Sequence, residues 1–388
     1  MHARPASETD QQYRALRPRL LMCMVIGYAA FYLTRKSVNY VLPALQTDLG
    51  LDKGDIGLLG SLFYLTYGLS KFTAGLWHDS HGQRAFMGIG LFATGVLNVL
   101  FAFGESLTLL LVVWTLNGFF QGWGWPPCAR LLTHWYSRNE RGFWWGCWNM
   151  SINIGGAVIP LISAFAAHWW GWQAAMLAPG IISMALGIWL TLQLKGTPRE
   201  EGLPTVGEWR HDPLELRQEQ QSPPMGLWQM LRTTMLKNPM IWLLGVSYVL
   251  VYLIRIALND WGNIWLTESH GVNLLSANAT VMLFEAGGLL GGAVRRMGLG
   301  SAVQWPAGAD DFTVHAGADG LRRRAVAGAS APLRATGNVF LYGGLFCVWP
   351  TDADWPRGSG VRTQSGSRFN YRFSRAVRLS GGRAGGLA

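Results

Sequence analysis

Two stretches of the chain decide how it is read: YAAFYLTRKSVN at residues 28–39 and YVLVYLIRIALN at residues 248–259. Tyr28, Tyr32, Arg35 and Asn39 follow steps of four, three and four; Tyr248, Tyr252, Arg255 and Asn259 repeat them at a constant offset of 220 residues. Such steps gather side chains on one face of an α-helix, so each stretch predicts a helix with an aromatic-and-arginine stripe. Both lie in apolar runs of roughly 20 residues, the length that crosses a hydrocarbon core. An arginine facing lipid costs several kcal/mol, so within a span it faces a bundle interior or a watery cavity. Arginines at equivalent positions of a repeat converge on the axis between two halves, as in transporters built from parallel repeats with substrate near the midplane. A guanidinium grips phosphate oxygens bidentately. Tyr64, Tyr67 and Lys71 form a similar stripe with a third cation, and Asp260 is the one acid read as near them. The pattern therefore predicts an anionic ligand. A cation near a helix end can instead snorkel to the interface; that alternative stays open for Lys36 and Asp260, whereas the repeat disfavours it for Arg35 and Arg255.

Working outward, the 388 residues are 50% hydrophobic and only 14% charged, against about a quarter charged in soluble proteins. That excludes a water-surrounded globule and predicts an all-α polytopic membrane protein. Eight spans are read, near 20–45, 56–77, 84–104, 107–132, 142–168, 172–194, 240–267 and 273–294. The domain reading is a cytoplasmic tail at 1–19, a six-helix bundle at 20–194, a central cytoplasmic loop at 195–239, two helices of a second bundle at 240–294, and a basic Gly/Arg-rich tail at 295–388. Arg4, Arg14, Arg17 and Arg19 precede the first span, and six Lys/Arg lie in the central loop. By the positive-inside rule both belong in the cytoplasm. Trp169, Trp170 and Trp172 are expected at the opposite interface. The N-terminal apolar run is too long for a cleavable signal. Four scattered cysteines, with no Cys-x-x-Cys or Cys/His cluster, indicate neither a metal site nor a disulfide framework. No catalytic constellation is evident, so no enzyme and no cofactor is expected.

Gly75, Asp79, Gly82 and Arg84 form Gly-x-x-x-Asp-x-x-Gly-x-Arg between the second and third spans. This resembles, in degraded form, the loop motif of the major facilitator superfamily. FFQGWGWPPC at 119–128, and Arg141-Gly142 followed by Trp148-Asn149, Asn153 and Gly155-Gly156, resemble the organophosphate:phosphate antiporter branch of that superfamily. GLPTVGEWRHD at 202–212 and NDWGN at 259–263 look like the hexose-phosphate sensors of that branch. The resemblance runs from about residue 20 to 292. It implies a major facilitator fold, with two six-helix bundles in the intact family. It implies phosphate-binding cations at Arg35, Lys71 and Arg255, and a site lined by Tyr28, Tyr32, Tyr67, Trp148, Asn149 and Tyr252. It also implies an inner-membrane receptor for external glucose 6-phosphate, with a membrane histidine kinase as partner. A sugar-phosphate/inorganic-phosphate antiporter is the alternative on the same fold. One departure stands out: Ile152 occupies the place of the branch's site histidine and cannot hydrogen-bond phosphate, which bears on phosphate affinity and proton coupling.

Beyond residue 294 the pattern stops. Residues 295–388 hold 13 arginines and 16 glycines with no lysine, glutamate or isoleucine, and no apolar run of spanning length. A basic cytoplasmic tail, a truncation with a novel tail and a reading-frame shift are the three readings, and the frame shift is preferred. A one-base shift near Arg296 permits Gly-Trp-Gly-Ser-Asp, placing a glycine 221 residues after Gly75. This tail holds eight of the ten net positive charges. A polybasic nucleic-acid or acidic-lipid binder would rest on it alone, and no nucleic-acid partner is expected.

Overall fold

Helix α1, Ala6–Lys36, begins well before the apolar run and stops just after the first cation pair. A 3-10 turn, Val38–Tyr40, and α2, Leu42–Leu49, complete what the sequence reads as one span over 20–45. The computed structural model describes residues 6–77, 83–221, 232 and 236–298, all within one unit, Met1–Asp352. The expected tail features of 299–388 lie outside the described residues, as do Asp79 and Gly82 of the loop motif; Gly75 falls in the last turns of α3 and Arg84 at the start of α4.

Helices α3 (Lys53–Trp77), α4 (Gln83–Ala102), α5 (Leu107–Gln121) and α6 (Trp125–Trp135) follow. Next comes Arg138–Gln193, α7, which is two helices joined at Gly171. There φ is 80° and ψ is 173°, a conformation that is essentially glycine-only. This separates the spans predicted at 142–168 and 172–194. After the short helices α8 (Val206–Arg210) and α9 (Pro213–Gln221), the chain returns as α10 (Pro239–His270) and α11 (Leu274–Gly298). Every described element is helical, as expected where lipid leaves backbone groups no outside partner. Among the described residues, Glu8–Lys36, Leu107–Trp135 (α5 and α6 together), Arg138–Gln193 and Pro239–His270 are long and apolar enough to cross a membrane by length and composition. Leu65, Phe165, Ile188 and Leu192 point outward, the arrangement of a lipid-facing surface. Trp169 and Trp170 are exposed beside Gly171, whereas Trp172 is buried and donates its Nε1–H to Asp48 Oδ2 at 2.8 Å.

The two ends of the bundle are closed differently. At the end carrying the N-terminus, residues 196–217 pack onto α1, α6 and α7. Tyr13 is fully buried, stacks on Trp209 at 4.1 Å and donates its hydroxyl to Pro204 O at 2.6 Å. Trp135 Nε1 donates to Gly196 O at 2.8 Å, and Arg141 pairs with Glu215 at 2.9 Å. Arg17 lies over the Tyr136 ring and pairs with Glu140. Within the segment read as a basic tail at 1–19, the chain is helical from Ala6 and packs on the central loop, which is itself partly folded. At the other end, Lys53 pairs with Glu268 at 2.7 Å, and Asn278 donates to Tyr40 O at 3.2 Å.

Candidate functional site

Three residues of the first stripe, Tyr28, Tyr32 and Arg35, lie on the inward face of α1, whereas Asn39 falls beyond its end in the 3-10 turn. Tyr28, Tyr32 and Arg35 are all buried, and the Arg35 guanidinium lies 4.5 Å from the Tyr32 ring and 4.6 Å from the Tyr67 ring. Lys71 Nζ stands 4.3 Å from the same Tyr67 ring, so one tyrosine of α3 joins two cations. Cation–π contacts stabilise such charges without neutralising them. The Arg35 Nε donates to Gln121 Oε1 at 3.2 Å, while its Nη2 is buried without a hydrogen-bond partner.

The equivalent arginine has different surroundings. Arg255 Nη2 donates to both carboxylate oxygens of Glu285, at 3.2 and 3.0 Å, and to Asn153 Oδ1 at 3.4 Å. Asn259 of the stripe donates to the same carboxylate at 3.2 Å. Lys36 pairs with Asp260, which also accepts from Asn39 Nδ2 at 2.8 Å and from the Tyr64 hydroxyl. The expectation of three cations with one nearby acid is therefore corrected. Glu285 compensates Arg255, Asp260 compensates Lys36, and among the described residues Arg35 and Lys71 face no carboxylate. Lys36 and Asp260 are buried partners and do not snorkel. A single carboxylate inside an apolar run, as Glu285 is, carries the same cost that exposed the arginines, and that signal could have found it.

Gly155 and Gly156 make these contacts possible. A Cβ on Gly155 would meet Ala29 O at 2.5 Å and Tyr32 Cβ at 2.6 Å; one on Gly156 would meet the Glu285 carboxyl carbon at 2.8 Å. The paired glycines thus admit α1 on one side and the Glu285 side chain on the other. Trp148 is buried with its ring 4.8 Å from Tyr28, and Asn149 follows it, half-buried. Tyr252 lies within electrostatic reach of Tyr32, Arg255, Lys71 and Tyr67. Tyr248 stacks on Tyr252 at 5.3 Å and is more exposed than its counterpart Tyr28. Ile152 packs half-buried against the core that contains Tyr28, Tyr32 and Trp148.

The Major Facilitator Superfamily family model matches residues 24–308. The chain is 50% identical over 291 residues to the "Membrane sensor protein UhpC" of Escherichia coli strain K12, covering 75% of this chain and 66% of that protein. It is 42% identical over 290 residues to a "Probable hexose phosphate transport protein" of Chlamydia trachomatis, covering 72% and 64%. It is 33% identical to a "Glycerol-3-phosphate transporter" of Bacillus subtilis, covering 74% and 65%. The chain thus spans just under two thirds of these curated relatives' lengths. In fold it is similar to a bacterial homologue of the human lysosomal transporter Spinster in an inward-facing, unoccupied conformation, with a TM-score of 0.63 at 18% identity, covering 87% of this chain and 73% of that one. A D-xylose-proton symporter gives 0.61 at 12%, covering 85% and 80%.

Proposed function

Because the chain belongs to the Major Facilitator Superfamily, we propose that it binds a phosphate monoester, glucose 6-phosphate, between the stripes of α1, α3 and α10. In this reading it is an inner-membrane receptor with its N-terminus in the cytoplasm, not an enzyme, and a membrane histidine kinase reads its state. The observation that carries the reading is the uncompensated pair Arg35 and Lys71, set against Arg255 and Lys36 with carboxylates of their own. Two positive charges that face no carboxylate, Arg35 buried and Lys71 half-buried, match a dianionic phosphate, because charge taken out of water is stabilised by a paired opposite charge. Arg35 and Lys71 are the first anchors. Arg255 joins only as the phosphate competes with Glu285 for it. Tyr28, Tyr32, Tyr67, Trp148, Asn149 and Tyr252 line the sugar side in this proposal.

Signalling follows as a population shift, in which a ligand favours whichever state it binds better. The Lys36–Asp260 pair and Asn278 bridge the two halves, and in this proposal, with the N-terminus in the cytoplasm, that closure faces the outside. External ligand then stabilises a state in which these bridges are broken. The test is reconstitution of the chain with a membrane histidine kinase in liposomes. External glucose 6-phosphate should change kinase phosphorylation; no change, with ligand binding intact, removes the sensor reading. The second reading, exchange of sugar phosphate for inorganic phosphate, is favoured by the printed names of the Chlamydia and Bacillus relatives. Counterflow of radiolabelled phosphate from liposomes containing the chain alone supports it.

A further inference from the structure

Helix α1 ends one residue after Arg35, and amide side chains of α4 and α5 take up the carbonyls left there. Asn98 and Asn117 donate Nδ2 to Thr34 O at 3.0 and 3.1 Å. Gln121 donates Nε2 to Phe31 O at 3.1 Å and to Thr34 Oγ1 at 2.9 Å. All three amides are fully buried. A helix end buried without such partners is costly, so part of this set is structural. Gln121 does more. Its two donated bonds fix which way the amide lies, because only Nε2 can donate, and Oε1 is left to accept from Arg35 Nε at 3.2 Å. The rings of Tyr32 and Tyr67 hold the guanidinium from other directions, and Nη2 stays unpartnered. At Arg255 a carboxylate, Glu285, makes the corresponding grip and cancels the charge.

We propose that Gln121 is the positioning and specificity-determining residue for Arg35: it aims the guanidinium through a neutral oxygen and so reserves the positive charge for a dianionic phosphate. This rests on the phosphate-binding reading above. The test measures glucose 6-phosphate affinity by titration calorimetry, and the melting temperature, for the purified full chain and its variants. Gln121→Glu keeps the shape but sets a carboxylate against Arg35. Affinity should fall on the order of tenfold to a hundredfold, well beyond the fall in Gln121→Met, which loses the same donated bond to the Phe31 carbonyl without adding a charge. A purely structural amide would leave the two variants binding alike, and equal affinities in them, or parental affinity in Gln121→Glu, overturn the proposal. Gln121→Met, uncharged and of similar length, guards against a misfolded glutamate variant. It should weaken binding severalfold, and parental affinity in it likewise overturns the proposal. Loss of binding in Arg35→Gln with retention in both Gln121 variants overturns this inference alone. Absence of binding by the parent, or parental affinity in Arg35→Gln, overturns the phosphate-binding reading and this inference with it.

Discussion

At the residue scale, Arg35 and Arg255 hold the same register position in two copies of one stripe yet answer to different partners. Removing each should therefore have different consequences. Arg35→Gln is expected to abolish glucose 6-phosphate binding while leaving the melting temperature unchanged or raised, since it deletes a charge with no carboxylate beside it. Arg255→Gln strands the Glu285 carboxylate, which is 3% exposed. Breaking a buried pair from one side costs about 3–5 kcal/mol, and chemical unfolding in detergent should read that loss. Ile152→His puts a hydrogen-bonding ring into the core around Tyr28 and Trp148. If this position faces phosphate, calorimetry should give roughly fivefold to tenfold tighter binding; unchanged affinity would remove Ile152 from the site. The two arginines were legible in the sequence because a charge repeated inside two apolar spans is too costly to face lipid in either. Glu285 carries the same cost but stands outside the repeat that drew attention to the arginines, and Gln121 was not legible at all, since an uncharged amide acquires its role only from a partner on another helix.

At the scale of elements, long-range contacts account for what periodicity missed. The break in α1 is marked by no proline or glycine between Lys36 and Leu42. It is held by Asn98 and Asn117 capping Thr34 O from α4 and α5, residues over 60 positions away in sequence. The first helical turns read as a basic tail with no packing signal of their own because Tyr13 finds its partners, Trp209 and Pro204, in the central loop. Tyr13→Ala should lower stability by about 3–5 kcal/mol, the cost of emptying a large aromatic site, measured by unfolding in detergent; a change under about 1 kcal/mol would mean this packing contributes little. Gly171 was legible only as a gap between spans. Its φ of 80° makes Gly171→Ala strained, with an expected loss of about 1–3 kcal/mol. Differential scanning fluorimetry should detect it as a lowered melting temperature.

At the scale of the whole molecule, the superfamily fold follows from length, apolarity and the bilayer's demand that spanning backbone satisfy itself. The net charge of +10, which first points toward nucleic acid or lipid, sits mostly in residues 295–388. The described helices instead hold their informative charges inside the bundle. Two of these are neutralised across the halves or within one, and two, Arg35 and Lys71, face no carboxylate among the described residues. Periodicity alone could not distinguish the paired cations from the unpaired ones, because pairing depends on which helices face each other. The bridging between α1 and its 3-10 turn and the helices α10 and α11 was equally invisible, being made by Asn278, Asp260 and the carbonyl of Tyr40. Calorimetric titration of the purified full chain with glucose 6-phosphate, alongside glucose, tests the central claim most directly. Saturable binding of the phosphate ester alone, lost in Arg35→Gln, is the expected result; equal binding of glucose, or binding that survives Arg35→Gln, would contradict it.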